Sequence, residues 1–386
     1  MKFKTLSLGM LLMGAALASC SSNDTPDEPG ASAKDTRYKE IASQYLDNTV
    51  TVTYKHLADN ARDLVEQLKA LRDNRTDANA DKACETFLAA RAWWEKSEAF
   101  LYGAASDFGI DPHIDTWPLD RAGLETQMRN SSQLEYLGAD DGDVWAGSHL
   151  GPELLGFHGI EYIIFADGTP KRAEAIPDNE LTYAIAVAGD LRNKCWQLLL
   201  SWAGEGNVDT EVTAKVAEEL EWPFTTTGGM SYKENMLNAG QAGSTYRTWT
   251  DAVQAIADGC ITIADEVGTQ KIGKPHSGED INYIESPYSH KSIIDFHDNI
   301  VSIENAYMGG VDGLRNEKKS LHAYISEVNP DLDARCVKAI ADARSAILGM
   351  RAPFVEHYAD PTAKTAADAC ASLRDVMTEV KAELAK

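Results

Sequence analysis

The sequence predicts an all-α protein: two helical-bundle domains packed side by side, with long irregular loops between helices. Two patterns point there. Strand-like alternation of apolar and polar residues is almost absent, while long segments of Ala, Leu, Glu, Lys and Arg carry apolar residues at three-and-four spacing. The third indication is length, since 386 residues at about 150 per domain supply two cores.

The spacing predicts helices over 35–72, 81–104, 152–166, 178–203, 210–220, 244–267, 293–308, 331–350 and 361–384. Several starts have chemical support: Asp81 ahead of Lys82-Ala83-Cys84, Asp178 with Glu180, and Pro361 in a first turn, where its missing N–H costs no bond. Three irregular stretches, 106–130, 222–243 and 268–292, are long enough to suggest function or disorder. A boundary near Gly204–Gly206 divides the chain into bundles at 35–204 and 205–386. Phe157-His158 and Phe296-His297 each open an apolar helix, a faint echo between the halves.

The first 34 residues read as an address. Lys2 and Lys4 precede an apolar run from Leu6 to Ala18 and then Leu17-Ala18-Ser19-Cys20, which resembles the lipobox of bacterial lipoproteins and implies lipidation of Cys20. Residues 1–19 are then the signal and 20–34 a flexible tether rich in Ser, Asp, Pro and Gly. The expected protein is held to a cell-envelope membrane by lipid, the outer membrane favoured by Ser21, facing the periplasm or the surface.

Losing residues 1–19 removes Lys2, Lys4 and no acid, moving the net charge from −24 to −26. Such a chain lacks the clustered Lys and Arg that phosphate backbones require, so nucleic acid is excluded as a partner. Beyond Cys20 the cysteines at 84, 195, 260, 336 and 370 include no Cys-x-x-Cys pair, which argues against a zinc knuckle or thioredoxin-type motif. His-Glu-x-x-His and Gly-x-Ser-x-Gly are also missing. Gly268–Lys274 matches the front of a phosphate loop, but Pro275 stands where Ser or Thr would hold magnesium, and we read it as a loop.

Liganding chemistry concentrates at Gly156-Phe157-His158-Gly159-Ile160-Glu161. On a helix His158 and Glu161 share one face and could hold a metal, activate a water or hydrogen-bond to each other. His276 and Glu279 repeat the spacing in a segment whose Gly and Pro argue against a helix. Chance supplies about half of one such match, so the pair gains meaning only from its surroundings.

Those surroundings are Trp94, Glu98 and Phe100 in a Trp-x-x-x-Glu-x-Phe element, Asp115-Thr116-Trp117-Pro118, and Ser289-His290 followed by Asp295-Phe296. With Gly-x-His-x-x-Glu these elements resemble, in order and over roughly residues 36–384, the imelysin family of bacterial envelope proteins, also called insulin-cleaving peptidase-like. The resemblance implies two all-helical bundles with a site where they meet. It also implies two competing functions, iron uptake and metallopeptidase chemistry.

We expect metal binding in iron uptake, because Glu161 cannot comfortably serve as both ligand and general base. His158 and Glu161 are the expected ligands, with Glu98 and His290 completing the set; iron is the expected metal, zinc the alternative, and haem a further candidate. Asp115 and Asp295 are expected to support the histidines or helix ends, Ser289 to cap the helix after His290, Trp117 to pack, and His297 to be an ordinary buried imidazole. Iron-transport components are the expected partners. A metallopeptidase and a non-catalytic structural or partner-binding lipoprotein are the alternatives.

Overall fold

The computed structural model describes residues 32–386, so the signal, Cys20 and most of the tether lie outside the described residues. Among the described residues the fold is all-α apart from one hairpin of two-residue strands, Phe165–Ala166 (β1) antiparallel to Thr169–Pro170 (β2). No helix among the described residues is long and apolar enough to cross a membrane.

Nine longer helices carry the architecture: α1 Ala33–Tyr45, α2 Thr51–Asp73, α3 Asp77–Glu95, α4 Gly156–Ile164, α5 Asp178–Ala203, α6 Trp249–Glu266, α7 Ser292–Met308, α8 Pro330–Leu348 and α9 Pro361–Leu384. Local chemistry sets their ends. Ser32 with Asp35 and Thr248 with Asp251 form reciprocal capping boxes, and the Thr76 hydroxyl accepts from Asn79 N–H. Thus α1 begins inside the expected tether, and α6 begins at Trp249 rather than 244. The helix expected over 81–104 starts earlier and stops at Glu95, where the Ser97 hydroxyl donates to Trp94 C=O (2.7 Å) and diverts a helical carbonyl.

The expected helices over 35–72 and 210–220 each contain a π-helical turn, Leu46–Val50 and Ala214–Glu219. The irregular stretches hold short helices, including Asp111–Asp115, Arg121–Gln127 and Tyr232–Leu237, each too brief to show a period in sequence. Residues 268–277, read from sequence as irregular, are helical: a π turn over Val267–Lys271 leads into Gly273–Ser277. Pro275 is tolerated because it sits in a first turn, where no N–H has a helical partner, and Gly278 ends the helix in the left-handed conformation at φ 76°.

Helix α2 packs between α3 and α5, with α4 against both α3 and α5; α9 packs on α6 and α8, and α7 on α8 and α6. The first helix, α1, lies against α6 in the later half. The two groups join where α3 crosses α7, and apolar side chains from both merge into one continuous core. The joint is partly polar: the Ser302 hydroxyl accepts from Ala99 N–H (3.0 Å), and the Asn299 amide donates to Glu95 (2.5 Å). That seam holds the buried charges described next.

Candidate metal centre

Glycine 156 explains how the site is assembled. Its φ is 65°, and a Cβ there would lie 2.2 Å from Ile114 C=O. Only glycine lets the chain turn into α4 while touching the Asp111–Asp115 helix. That contact sets Asp115 beside His158, whose Nε2 lies 2.9 Å from Asp115 Oδ1. His158 and Glu161 are each 1% exposed, and His158 Nδ1 is 3.7 Å from Glu161 Oε2.

Glu161 is clamped from the later half of the chain. The Ser289 backbone N–H and hydroxyl both donate to its Oε1, at 2.8 and 2.6 Å. Ser289 was expected to cap the following helix; the residue at that position is Lys291, which makes no side-chain cap. Trp94 Nε1 donates to Asp115 Oδ2 (2.7 Å), and the Trp117 ring packs 4.4 Å from the imidazole.

Arg91, one turn before Glu95 on α3, is the central cation. It pairs with Asp115 and with Glu95 (2.5 Å), and lies 3.7 Å from Asp295 and 3.9 Å from Glu285. Lys271, also buried, donates to Glu285 (3.1 Å) and lies 3.8 Å from Glu98 and 4.0 Å from Glu95. Asp295 accepts from the Ser286 hydroxyl.

Six buried carboxylates thus share the seam with two permanent cations. Burial drives Glu95 up to about 8 and Asp295 up to about 7, despite Arg91, and pushes Glu98 well above the usual range. Asp115 goes the other way: burial would raise it, but Arg91 and His158 outweigh that and hold it well below ordinary values. Burial opposes protonation of His158, yet Asp115 and Glu161 overcome it and raise the imidazole to about 9. Protons held by the raised carboxylates offset the acid excess, and a cation can take their place.

One atom each from Asp115, His158 and Glu285 falls within a 4.8 Å cluster, two oxygens and an imidazole nitrogen. Glu161 Oε2 and Glu285 Oε2 are buried without a hydrogen-bond partner among the described residues, and the His158 ring nitrogens meet the carboxylates of Asp115 and Glu161. Nitrogen and oxygen donors of this kind suit iron, zinc or manganese. The residues therefore fit a metal ion, with Arg91 and Lys271 as the charges it must compete against.

Of the expected ligands, His158 and Glu161 stand together. Glu98 faces Lys271 from the edge of the seam. His290 is held in the left-handed conformation (φ 58°) against the β1–β2 turn, where a Cβ on Gly168 would come 2.6 Å from its Nδ1. His297 is half-buried, accepting from Arg344 Nε at 3.2 Å. Sequence reasoning passed over Glu285, Arg91, Glu95 and Lys271. Arg91 and Glu95 carry a signal in their one-turn spacing within an apolar helix; Glu285 and Lys271 lie in a stretch read as irregular, with none.

Comparison with known proteins agrees with this architecture. The family model described as Imelysin, which carries a peptidase label, matches residues 50–380. The iron-regulated protein A of Synechococcus elongatus is 26% identical over 338 residues, 86% of this chain and 83% of that protein. A crystal structure of a protein named as an iron-regulated protein A precursor, from Parabacteroides distasonis, superposes with a TM-score of 0.76 at 28% identity, covering 93% of this chain and 98% of the other. An imelysin-like protein from Psychrobacter arcticum, 10% identical, shares the fold with a TM-score of 0.60 over 89% of this chain and 93% of its own.

Proposed function

The chain belongs to the imelysin family, and from that premise we propose that it captures a metal ion as cargo, iron first, for uptake across the cell envelope. The observation that carries the proposal is the convergence of one atom each from Asp115, His158 and Glu285 within 4.8 Å, beside the buried Glu285 Oε2 and Glu161 Oε2, which lack hydrogen-bond partners among the described residues. Iron is favoured over zinc by the names of two relatives, both iron-regulated protein A. Asp115, His158 and Glu285 are the ligands in this reading. Glu161, with one oxygen locked by Ser289, orients His158 and offers its free oxygen.

The closure of the site separates this reading from its rivals. The three side chains are at most 6% exposed, which suits a bare ion better than haem or a peptide bond that must enter and leave. A lipid on Cys20 would keep the protein near the transport components that take the cargo onward.

The test is elemental analysis of protein purified without chelators, followed by anaerobic titration with ferrous ion. The expected result is saturable binding in the wild type, lost in His158→Ala and in Glu285→Ala. Unchanged stoichiometry in both variants overturns the reading.

A further inference from the structure

A cleft of about 570 Å³ opens beside the seam, lined by Glu98, Tyr102, Asp107, Tyr232, Tyr246 and Asp258 among others, with no lysine or arginine in its wall. Its depth depends on a close approach. A Cβ on Gly259 would lie 1.9 Å from Ala99 C=O, so glycine at 259 lets the Glu98–Phe100 turn seat directly on α6. Glu98 belongs to that turn and lines the cleft, with its side chain only 7% exposed and no hydrogen bond among the described residues.

Glu98 also faces the opposite way. Its carboxylate is 3.8 Å from Lys271 Nζ, and Lys271 donates to Glu285, a member of the donor trio. Cleft, Glu98, Lys271 and Glu285 form a continuous polar line between solvent and the buried centre. A larger cleft of about 850 Å³, near Asp143, Arg192 and Lys215, mixes both signs of charge, and neither Glu98 nor any member of the donor trio lines it.

We infer that this cleft is the entrance through which a divalent cation reaches the buried centre, with Glu98 as the carboxylate that passes it inward. The inference rests on the metal-capture reading above. Glu98, Asp107 and Asp258 give the wall its acidic side chains, with Asp258 paired to Lys381 from outside it (2.6 Å), and such a wall favours cations over anions and acts on the rate of arrival. A hydrated ion shedding water needs a fixed oxygen at the threshold, and Glu98 supplies one. Lys271 holds Glu285 until the ion takes its place.

The test is stopped-flow mixing with ferrous ion under anaerobic conditions, followed through tryptophan fluorescence, since Trp94 and Trp117 touch Asp115 and His158. Thr262→Arg places bulk and positive charge at an exposed position of the cleft wall. It should slow loading at least about tenfold while the final stoichiometry stays at the wild-type value, and Asp258→Lys should slow it in the same sense. Thr365→Arg, an exposed position on α9 outside the cleft, should load at the wild-type rate. Wild-type loading rates in both cleft variants overturn the entrance. Failure of the wild type itself to take up ferrous ion overturns the metal reading and the entrance with it.

Discussion

Residues 158–161 and 276–279 both place a glutamate three positions after a histidine, and the fold uses them differently. His158 and Glu161 lie on one helix, buried and facing Asp115 and Ser289. His276 sits at the end of Gly273–Ser277 with Nδ1 2.9 Å from Tyr358 C=O, and left-handed Gly278 ends the helix before the exposed Glu279. The difference teaches that spacing places two side chains on one face only while the helix continues. Burial then decides whether they meet water or each other.

The contrast can be broken most severely at Arg91. Arg91→Met removes the cation shared by Asp115, Glu95, Asp295 and Glu285, and should cost about 3–5 kcal/mol in denaturant unfolding. A loss under about 1 kcal/mol would mean that the seam is not held by charge. Next comes the direct comparison. With ferrous ion at about 100 times its dissociation constant the wild type should gain about 2.7 kcal/mol; His158→Ala should lose that gain and His276→Ala keep it. Equal gains in both variants would erase the distinction between the two copies.

Ser289→Ala sharpens the comparison by leaving Glu161 with only the backbone donor. The expected cost is about 1.5 kcal/mol, measured by chemical denaturation, with weaker metal binding as Glu161 loosens. The smallest effect is expected at Glu279→Gln, within about 0.5 kcal/mol of wild type in the same measurement. A larger change would show that the second copy has structural work of its own.

Much of the fold was legible because long amphipathic helices announce themselves. The periodicity over α5 and α9 placed both within a residue or two of their observed bounds. Shorter elements escaped it: Asp111–Asp115 and Gly273–Ser277 are about one turn each, and proline in the second disguised it. At the site, Gly156, His158 and Glu161 stood out as a motif, while Asp115 and Ser289 drew attention as neighbours in the resemblance. Glu285 and Lys271 could not be read that way. Their partners lie on other segments, and no spacing along one segment encodes a contact between two.

The sequence alone determined the all-α class, the helix that carries His158 and Glu161, and the acidic character of the chain, because these follow from local periodicity and composition. Tertiary structure decided which carboxylates stand near His158, which oxygen of Glu161 is occupied, and that two lysine and arginine side chains are buried among them. The physical reason is that a buried charge is tolerated only beside its counter-charges. Those come together from α3, α4, α7 and the segments before α4 and α7 only once the two groups of helices have packed.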